Sequence, residues 1–209
     1  MLFDVTIIDY GMGNLRSVEK AFSAVGGRPE VTGDPGRVRH SPRLVLPGVG
    51  AFGDAMRNLR EARLDEAILE SLGSGIPLLG LCLGLQLLFD ESEEFGSHRG
   101  LGVIPGRVRR FDGPGIRVPH VGWNQVEKLQ ADPLLDGIPE GTYFYFVHSY
   151  YVEPARAEHA LGWTDYGLSF CSLARNGNAW GAQFHPEKSQ DAGKQLLRNF
   201  LRVAGGRHV

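Results

Sequence analysis

Short apolar runs alternate with amphipathic stretches over the first hundred residues of the chain. The runs 5–8, 44–46 and 76–81 hold mostly aliphatic side chains, which is typical of parallel strands buried on both faces. Between these runs, apolar residues recur at helical spacing. A first helix is predicted from Leu15, Val18, Phe22 and Val25, ending at Gly26-Gly27. A second is predicted from Met56, Leu59, Leu64, Ile68 and Leu72, with Asp54 as its N-cap.

This alternation predicts an α/β fold, with an open, mostly parallel, doubly wound, flavodoxin-like sheet and helices on both faces. After about residue 100 the pattern changes to short β-like segments separated by Gly, Pro, Asn and Asp. They are 106–111, 116–118, 143–147, 160–163, 169–174 and 180–184, with a hairpin turn at 175–178. We therefore expect additional antiparallel strands in the C-terminal half, then a last helix from about Ser189. No linker or repeat divides residues 1–209, so a single domain is predicted.

Composition narrows the classes of protein that the chain can belong to. Its 209 residues are 42% hydrophobic and 22% charged, with a net charge of −2, as in ordinary soluble globular proteins. No basic excess favours nucleic acid, and no apolar stretch approaches the ~20 residues that span a bilayer. The two cysteines, Cys82 and Cys171, make no disulfide framework, and Cys171 is predicted to be a packed thiol in a strand. A cytoplasmic protein is expected.

The most informative segment is Gly80-Leu81-Cys82-Leu83-Gly84-Leu85-Gln86, directly after an apolar run. A cysteine between glycines, with a strand before it and a helix after it, is the layout of a nucleophile elbow. The glycines leave room for the sharp turn, and the helix N-terminus favours a thiolate. A buried free cysteine is the commoner situation for a lone Cys, but the two glycines favour a nucleophile here.

A thiol nucleophile needs a base and a group that orients the base. His185 follows an apolar strand, and Glu187 comes two residues later. If the chain stays extended through Pro186, both side chains point the same way, which predicts a Cys–His–Glu triad. The alternative is that His185 ends a strand and Glu187 is a favourable acid at the start of the last helix. The N–H of Leu83 and the loop 47–50 are candidate oxyanion donors.

Other site chemistries find no support in the sequence. The Gly11-Met12-Gly13 segment lacks the third glycine of a dinucleotide fingerprint, because Arg16 stands there. No Cys or His cluster has metal-ligand spacing, so neither a metal nor a cofactor is expected. Four histidines are predicted to be exposed to solvent: His40, His98, His159 and His208.

Taken together, segments 47–50, 80–86 and 185–187 resemble the class I (triad) glutamine amidotransferases. Further segments are similar to the glutaminase subunits of imidazole glycerol phosphate synthases, over essentially the whole chain. They are 9–14 (DYGMGN), 46–56 (LPGVGAFGDAM), 119–124 (PHVGWN), 146–151 (FVHSYY) and 184–189 (FHPEKS).

The resemblance implies that Cys82 attacks the side-chain amide of glutamine, that His185 shuttles the proton and that Glu187 orients His185. Water then releases glutamate from a thioester. Gly50 would lend its N–H to the oxyanion, after a peptide flip that the neighbouring glycines make easy. Position by position, the residues that would hold the amino acid end of glutamine are Gln86, Glu94, Ser149 and Tyr150.

In the resembled family, the ammonia passes to a separate (β/α)₈-barrel cyclase subunit in a heterodimer. The products are imidazole glycerol phosphate and an aminoimidazole carboxamide ribonucleotide. Residues at family positions near that interface are Asn14, His120, Trp123, Tyr145 and Lys188. Trp123 is expected to be an exposed aromatic on a Gly-rich loop, although core aromatics and a solvated lysine would also fit these positions.

Three functions stay open at this point. The first is a glutaminase subunit of that synthase, with weak activity until its partner docks. The second is a glutaminase subunit of another synthase, serving vitamin B6, anthranilate or guanylate synthesis. The third is a non-catalytic regulatory subunit with the same fold.

Overall fold

A computed structural model of the chain describes residues 4–128 and 130–203. The strands are β1 (Val5–Ile8), β2 (Pro29–Thr32), β3 (Leu44–Leu46), β4 (Leu78–Leu81), β5 (Phe89–Ser92), β6 (His98–Arg99), β7 (Ile104–Arg110), β8 (His120–Lys128), β9 (Thr142–His148), β10 (Tyr150–Pro154), β11 (Ala160–Asp165), β12 (Ser169–Asn176) and β13 (Ala179–Ala182). The α-helices are α1 (Leu15–Ala24), α2 (Pro35–Arg39), α3 (Phe52–Glu61), α4 (Leu64–Gly73), α5 (Leu83–Leu87) and α6 (Gln190–Arg202). Three short 3₁₀ turns occupy Pro133–Leu135, Ala157–His159 and Pro186–Lys188.

Four N-terminal strands and β13 form a parallel sheet in the order β2-β1-β3-β4-β13. Strands β1, β3, β4 and β13 are buried on both faces, whereas the edge strand β2 is half-buried. The buried side chains alternate between two apolar layers. For example, Val45 packs in the layer that contains α1 and α6, whereas Leu44 and Leu46 pack in the layer that contains α2 to α5. The predicted doubly wound sheet with helices on both faces is confirmed.

Beyond β13 the sheet continues through β12, β10, β7, β5 and β6, mostly in antiparallel pairs. The β12–β13 hairpin turns at Gly177-Asn178, as the turn signal predicts. A further ribbon of β8 and β9 joins through β11. The expected antiparallel additions are therefore present. That residues 1–209 form one domain stays a prediction.

Two predictions about the helices were wrong. The single helix predicted across 54–72 is two helices, because the chain takes a left-handed turn at Arg63 (φ 56°). The N-cap of α3 is Ala51, and Asp54 lies inside the first turn. A carboxylate from outside the helix, that of Glu94, accepts the Phe52 N–H at 2.7 Å instead.

A third prediction was wrong as well, because residues 116–118 form no strand. The preceding Gly113-Pro114-Gly115 and the following Pro119 interrupt any ladder, since proline cannot donate to one. Across the described ranges, no helix is both long and apolar enough to span a bilayer.

Candidate active site

The register of two adjacent strands sets the position of the nucleophile candidate. Parallel strands β4 and β13 pair Leu81 with Ala182, so the next residues, Cys82 and Gln183, stand side by side at the carboxyl edge. The Cys82 N–H donates to the Ala182 carbonyl oxygen at 2.8 Å and fixes this alignment. Since the chain continues from the end of β13 to His185, the register brings the thiol and the imidazole to one edge, where ligands bind in such sheets.

The turn at Cys82 is strained and depends on its two glycines. Cys82 has φ 54° and ψ −107°, a conformation that a residue with a Cβ rarely adopts. A Cβ on Gly80 would lie 2.6 Å from the Gly84 carbonyl oxygen, and a Cβ on Gly84 would overlap the Leu46 carbonyl oxygen. The glycines therefore permit the close approach of α5 to β3 and β4, as the elbow pattern predicts.

His185 and Glu187 are paired, although not in the predicted way. The chain does not stay extended through Pro186, because Pro186–Lys188 forms a 3₁₀ turn. This turn still brings the His185 Nδ1 atom within 2.8 Å of a Glu187 carboxylate oxygen, with both side chains buried. The carboxylate therefore fixes the ring so that Nε2 is the atom left for other chemistry.

The environment of His185 favours its protonated form. Burial lowers the pKa of His185, but its interactions with Cys82 and Glu187 outweigh burial and raise that pKa to about 10. Its Nε2 atom is buried and has no partner that meets hydrogen-bond geometry among the described residues. An imidazolium beside a cysteine sulfur favours the thiolate over the thiol, which is the arrangement that a cysteine nucleophile needs.

A cavity of about 330 Å³ opens at the thiol. Its volume lies within the range of small-molecule sites. It brings together most of the site residues named from the sequence, while Glu187 lies behind the imidazole. The named residues that line it are Gly50, Cys82, Leu83, Gln86, Glu94, Ser149, Tyr150 and His185.

The predicted oxyanion donors stand on two sides of the thiol. The Leu83 N–H lies in the first turn of α5, where backbone N–H groups have no intrahelical partner. Gly50 has φ 104°, and a Cβ there would lie 2.7 Å from the Met12 Cε atom. The positive φ therefore favours glycine at position 50, whereas the Met12 contact alone could be relieved by moving the end of that flexible side chain.

Gln86 and Glu94 present acceptors to the cavity. The Gln86 Nε2 group donates to the Tyr150 carbonyl oxygen at 3.0 Å and to Gln183 Oε1 at 3.2 Å, which uses both of its protons. This leaves its Oε1 atom to accept. One Glu94 oxygen holds the N–H of Phe52, and the carboxylate also borders the cavity. An amide oxygen and a carboxylate together suit an ammonium group.

A buried histidine pair supports the cavity wall. His120 is 3% exposed, and its ring stacks inside on that of Tyr166, with 3.9 Å between the ring centroids. Its place near a partner interface stays a prediction. Its Nδ1 lies 3.0 Å from His148 Nε2, and His148 Nδ1 lies 2.8 Å from the Tyr150 carbonyl oxygen. The Tyr150 carbonyl only accepts, so His148 donates to it from Nδ1. The other ring nitrogen of a neutral His148, Nε2, then accepts, and His120 donates to it from Nδ1.

Burial keeps both rings neutral, lowering the pKa of His120 to about 4 and that of His148 to about 3. The prediction that His159 is exposed to solvent was wrong, because His159 is buried at the end of the 3₁₀ turn Ala157–His159. His40 is exposed and His98 half-buried, while His208 lies outside the described residues.

Predicted interface aromatics lie on the outer face of the β8–β9 ribbon. Trp123 pairs with Tyr145 in the ladder, their rings 6.0 Å apart, and the Lys188 Nζ atom lies 5.6 Å from the Tyr145 ring. Trp123 is 45% exposed, but it lies on a strand and not on the expected loop. Val121 and Tyr143, more than half exposed on the same ribbon, were not predicted.

Asn14 precedes α1, and α1 packs against the Pro186–Lys188 turn. This places Asn14 at the carboxyl edge of the sheet, together with the His185–Glu187 pair.

Two residues that contact the catalytic candidates were missed in the sequence. The Gln183 Nε2 group donates to the Cys82 sulfur at 3.8 Å. The Ser189 hydroxyl donates to the His185 carbonyl oxygen at 2.6 Å and accepts the Tyr145 N–H at 3.0 Å. The pairing of β4 with β13 could have indicated Gln183, because Gln183 directly follows β13 as Cys82 directly follows β4.

Comparison with known proteins places the chain in a family. The family model described as glutamine amidotransferase class-I matches residues 6–204. The chain belongs to the class-I glutamine amidotransferase family. Within the family, it is similar to imidazole glycerol phosphate synthase subunits HisH. The Moorella thermoacetica subunit is 54% identical, with 94% of this chain and 93% of the relative covered. The Syntrophotalea carbinolica subunit is 52% identical, with 94% and 98% covered.

Solved structures share the fold of this chain. A crystal structure of a glutamine amidotransferase matches with a TM-score of 0.76 at 20% identity, covering 97% of this chain and all (100%) of that chain. The structure of PurLQS from Thermotoga maritima matches with a TM-score of 0.76 at 17% identity, covering 96% and 98%. At such identities the likeness concerns the fold alone.

Proposed function

We propose that this class-I glutamine amidotransferase hydrolyses glutamine to glutamate and ammonia at the Cys82 cavity. The observation that carries the proposal is the convergence of Cys82, the His185–Glu187 pair and two ammonium acceptors on one cavity. The thiolate attacks the side-chain amide carbon, and the charge that develops on the amide oxygen is stabilised by backbone N–H groups of Leu83 and Gly50.

His185 then transfers its proton to the leaving nitrogen, and ammonia departs from a γ-glutamyl thioester. The neutral ring takes a proton from water, whose oxygen attacks the thioester carbon. Collapse of the second tetrahedral species expels the thiolate and glutamate. Glu187 keeps Nδ1 occupied throughout, so both proton transfers use Nε2. Gln86 and Glu94 hold the α-ammonium group, while Ser149 and Tyr150 provide backbone groups at the other wall.

We further propose that the ammonia is delivered to a (β/α)₈-barrel cyclase subunit, in a heterodimer that forms imidazole glycerol phosphate in histidine biosynthesis. The HisH relatives, named as subunits of that synthase, support the proposal. The exposed apolar and aromatic face of the β8–β9 ribbon supplies the docking surface, because protein–protein interfaces are richer in aromatic side chains than the rest of a protein surface. Asn14 and Lys188 would border this docking surface.

The protein would act in the cytoplasm. Its two buried cysteines are free thiols, which fits a reducing compartment.

Glutamate release from glutamine is expected to be weak for the isolated chain and to rise roughly tenfold or more with the cognate cyclase subunit. The reason is that Gly50, whose N–H is the second oxyanion donor, lies in a glycine loop that can change its peptide orientation. Glutamate is measured with a coupled dehydrogenase assay, with and without partner. Full activity without the partner would contradict the coupling.

Trp123→Ala tests the docking surface in the same assay. Loss of a half-exposed interface aromatic should weaken partner binding by about tenfold or more, and partner-stimulated release with it, without changing the basal rate. If the variant binds and responds like the wild type, the docking surface lies elsewhere. Retrieval of an anthranilate or guanylate synthase partner instead of the cyclase would favour another synthase.

A further inference from the structure

Beyond the triad, a buried amide contacts the reacting atom. Gln183 is fully buried, yet it lies outside the Cys–His–Glu set. Its Nε2 atom lies 3.8 Å from the Cys82 sulfur, within hydrogen-bond reach of a sulfur acceptor. The Gln183 backbone N–H donates to the Ser172 carbonyl oxygen at 2.9 Å, so β12 holds the residue in place.

The orientation of this amide is fixed by its neighbours. The Tyr150 carbonyl oxygen only accepts hydrogen bonds, so the Gln86 atom 3.0 Å away is its nitrogen. The second proton of that nitrogen points to Gln183, which must present its oxygen in return, at 3.2 Å. The nitrogen of Gln183 therefore faces the sulfur. Reversing the amide would oppose two donors and leave the sulfur against an oxygen.

The sulfur needs such a donor once it is ionised. In the thiol form, the S–H group donates to the Val147 carbonyl oxygen at 3.8 Å. When the proton leaves, that carbonyl dipole opposes the negative charge. The helix that follows Cys82 has only five residues, so its dipole is small. A neutral donor held at the sulfur offsets the carbonyl without competing for the proton.

We propose that Gln183 donates a hydrogen bond from its side-chain amide to the Cys82 sulfur and stabilises the thiolate before glutamine binds. The proposal rests on the proposed role of Cys82 as the nucleophile. In it, Gln86 has two functions, since it orients Gln183 with its nitrogen and accepts from substrate with its oxygen. The Tyr150 carbonyl thereby links the substrate wall to the nucleophile.

Titratable groups also surround the sulfur. His185 is the charged partner, and Glu94 borders the same cavity as a carboxylate. Burial and then the charge of Cys82 raise the pKa of Tyr10 well above its usual value, so its hydroxyl stays protonated and donates to a backbone carbonyl. His148 is neutral because burial lowers its pKa. None of these changes in the variants below, which replace only the uncharged amide.

The test measures alkylation of Cys82 by iodoacetamide as a function of pH, in the complex with the cyclase subunit, with the modified peptide identified by mass spectrometry. Gln183→Met keeps the length of the side chain and removes the donor. Gln183→Asn keeps a buried amide, and with it the fold, but withdraws the nitrogen by one methylene. In both variants we expect the midpoint of the profile to rise by about one pH unit, with roughly tenfold slower alkylation at neutral pH.

The matched control is Ser41→Ala, which deletes two hydrogen bonds of another buried side chain, before β3 at the opposite edge of the sheet. Its alkylation profile should equal that of the wild type. An unchanged midpoint in either folded Gln183 variant would overturn the proposal. Because alkylation is read without glutamine turnover, this outcome is distinct from a failure of the proposed function, which would show as absent glutamate release.

Discussion

Replacing Cys82 by alanine is expected to lower glutamate release by at least about a thousandfold, with the partner present and glutamine saturating. The variant loses the thiol that lines the cavity, and with it the thioester route. His185 and Glu187 remain paired, so the fold and glutamine binding should persist. Release is measured by the coupled assay, and binding by calorimetry.

Cys171→Ala is the matched control for that experiment. The Cys171 thiol is fully buried in β12, where it donates to the Leu173 carbonyl oxygen at 3.1 Å. Its loss should cost some stability and leave the glutamate release rate unchanged. Residual activity of Cys82→Ala close to the wild type, with the control also active, would remove Cys82 from the mechanism.

Gly84→Ala is expected to destabilise the fold by more than about 3 kcal/mol, the upper end of common overpacking costs. Its Cβ would overlap the Leu46 carbonyl oxygen, a backbone atom that cannot turn away as a side chain can. Since domains are commonly stable by only about 5–15 kcal/mol, expression or melting temperature should fall visibly. Urea unfolding followed by circular dichroism measures the change.

Gly73→Ala provides the comparison for that substitution. Gly73 ends α4, its φ is not positive, and a Cβ there meets no atom within 4 Å. Alanine at this site should leave stability unchanged or raise it slightly, because it reduces the freedom of the unfolded chain. Equal stability for the Gly84 and Gly73 variants would show that the elbow tolerates a side chain and that the packing argument is wrong.

The local parts of the site could be predicted from the sequence because their signals are local. Gly80 and Gly84 mark the elbow through the space that a Cβ would need, and parallel strands are marked by apolar runs. The His185–Glu187 contact was predicted from their spacing, although a 3₁₀ turn and not an extended chain brings them together. Either geometry places position i+2 near position i.

Other parts depend on contacts between distant segments, which spacing does not reveal. His120 and His148 meet because β8 and β9 pair in a register that puts them opposite each other. Such a register follows from the packing of a whole ribbon. The hydrogen bonds of Gln183 likewise depend on strands more than 90 residues apart in the chain, its partners Cys82 and Gln86 being 101 and 97 residues away.

The capping of α3 by Glu94 is a third feature that could not be predicted from the sequence. The first turn of α3 could be capped by Asp54 from within the helix, and local propensity favours that choice. The fold instead supplies Glu94 from 42 residues along the chain, whose oxygen lies 2.7 Å from the Phe52 nitrogen. A competing tertiary contact of this kind is not visible to any rule that considers one helix at a time.

In the proposed mechanism, Cys82 attacks the side-chain carbonyl carbon of glutamine. Mass spectrometry of the complex after treatment with a diazoketone analogue of glutamine tests this attack. We expect one adduct per chain, on the peptide that holds Cys82, formed more slowly when glutamine is added. Cys171 should stay unmodified, because burial raises the pKa of its thiol to about 12. An unmodified Cys82, or an adduct on another residue, would show that Cys82 is not the nucleophile.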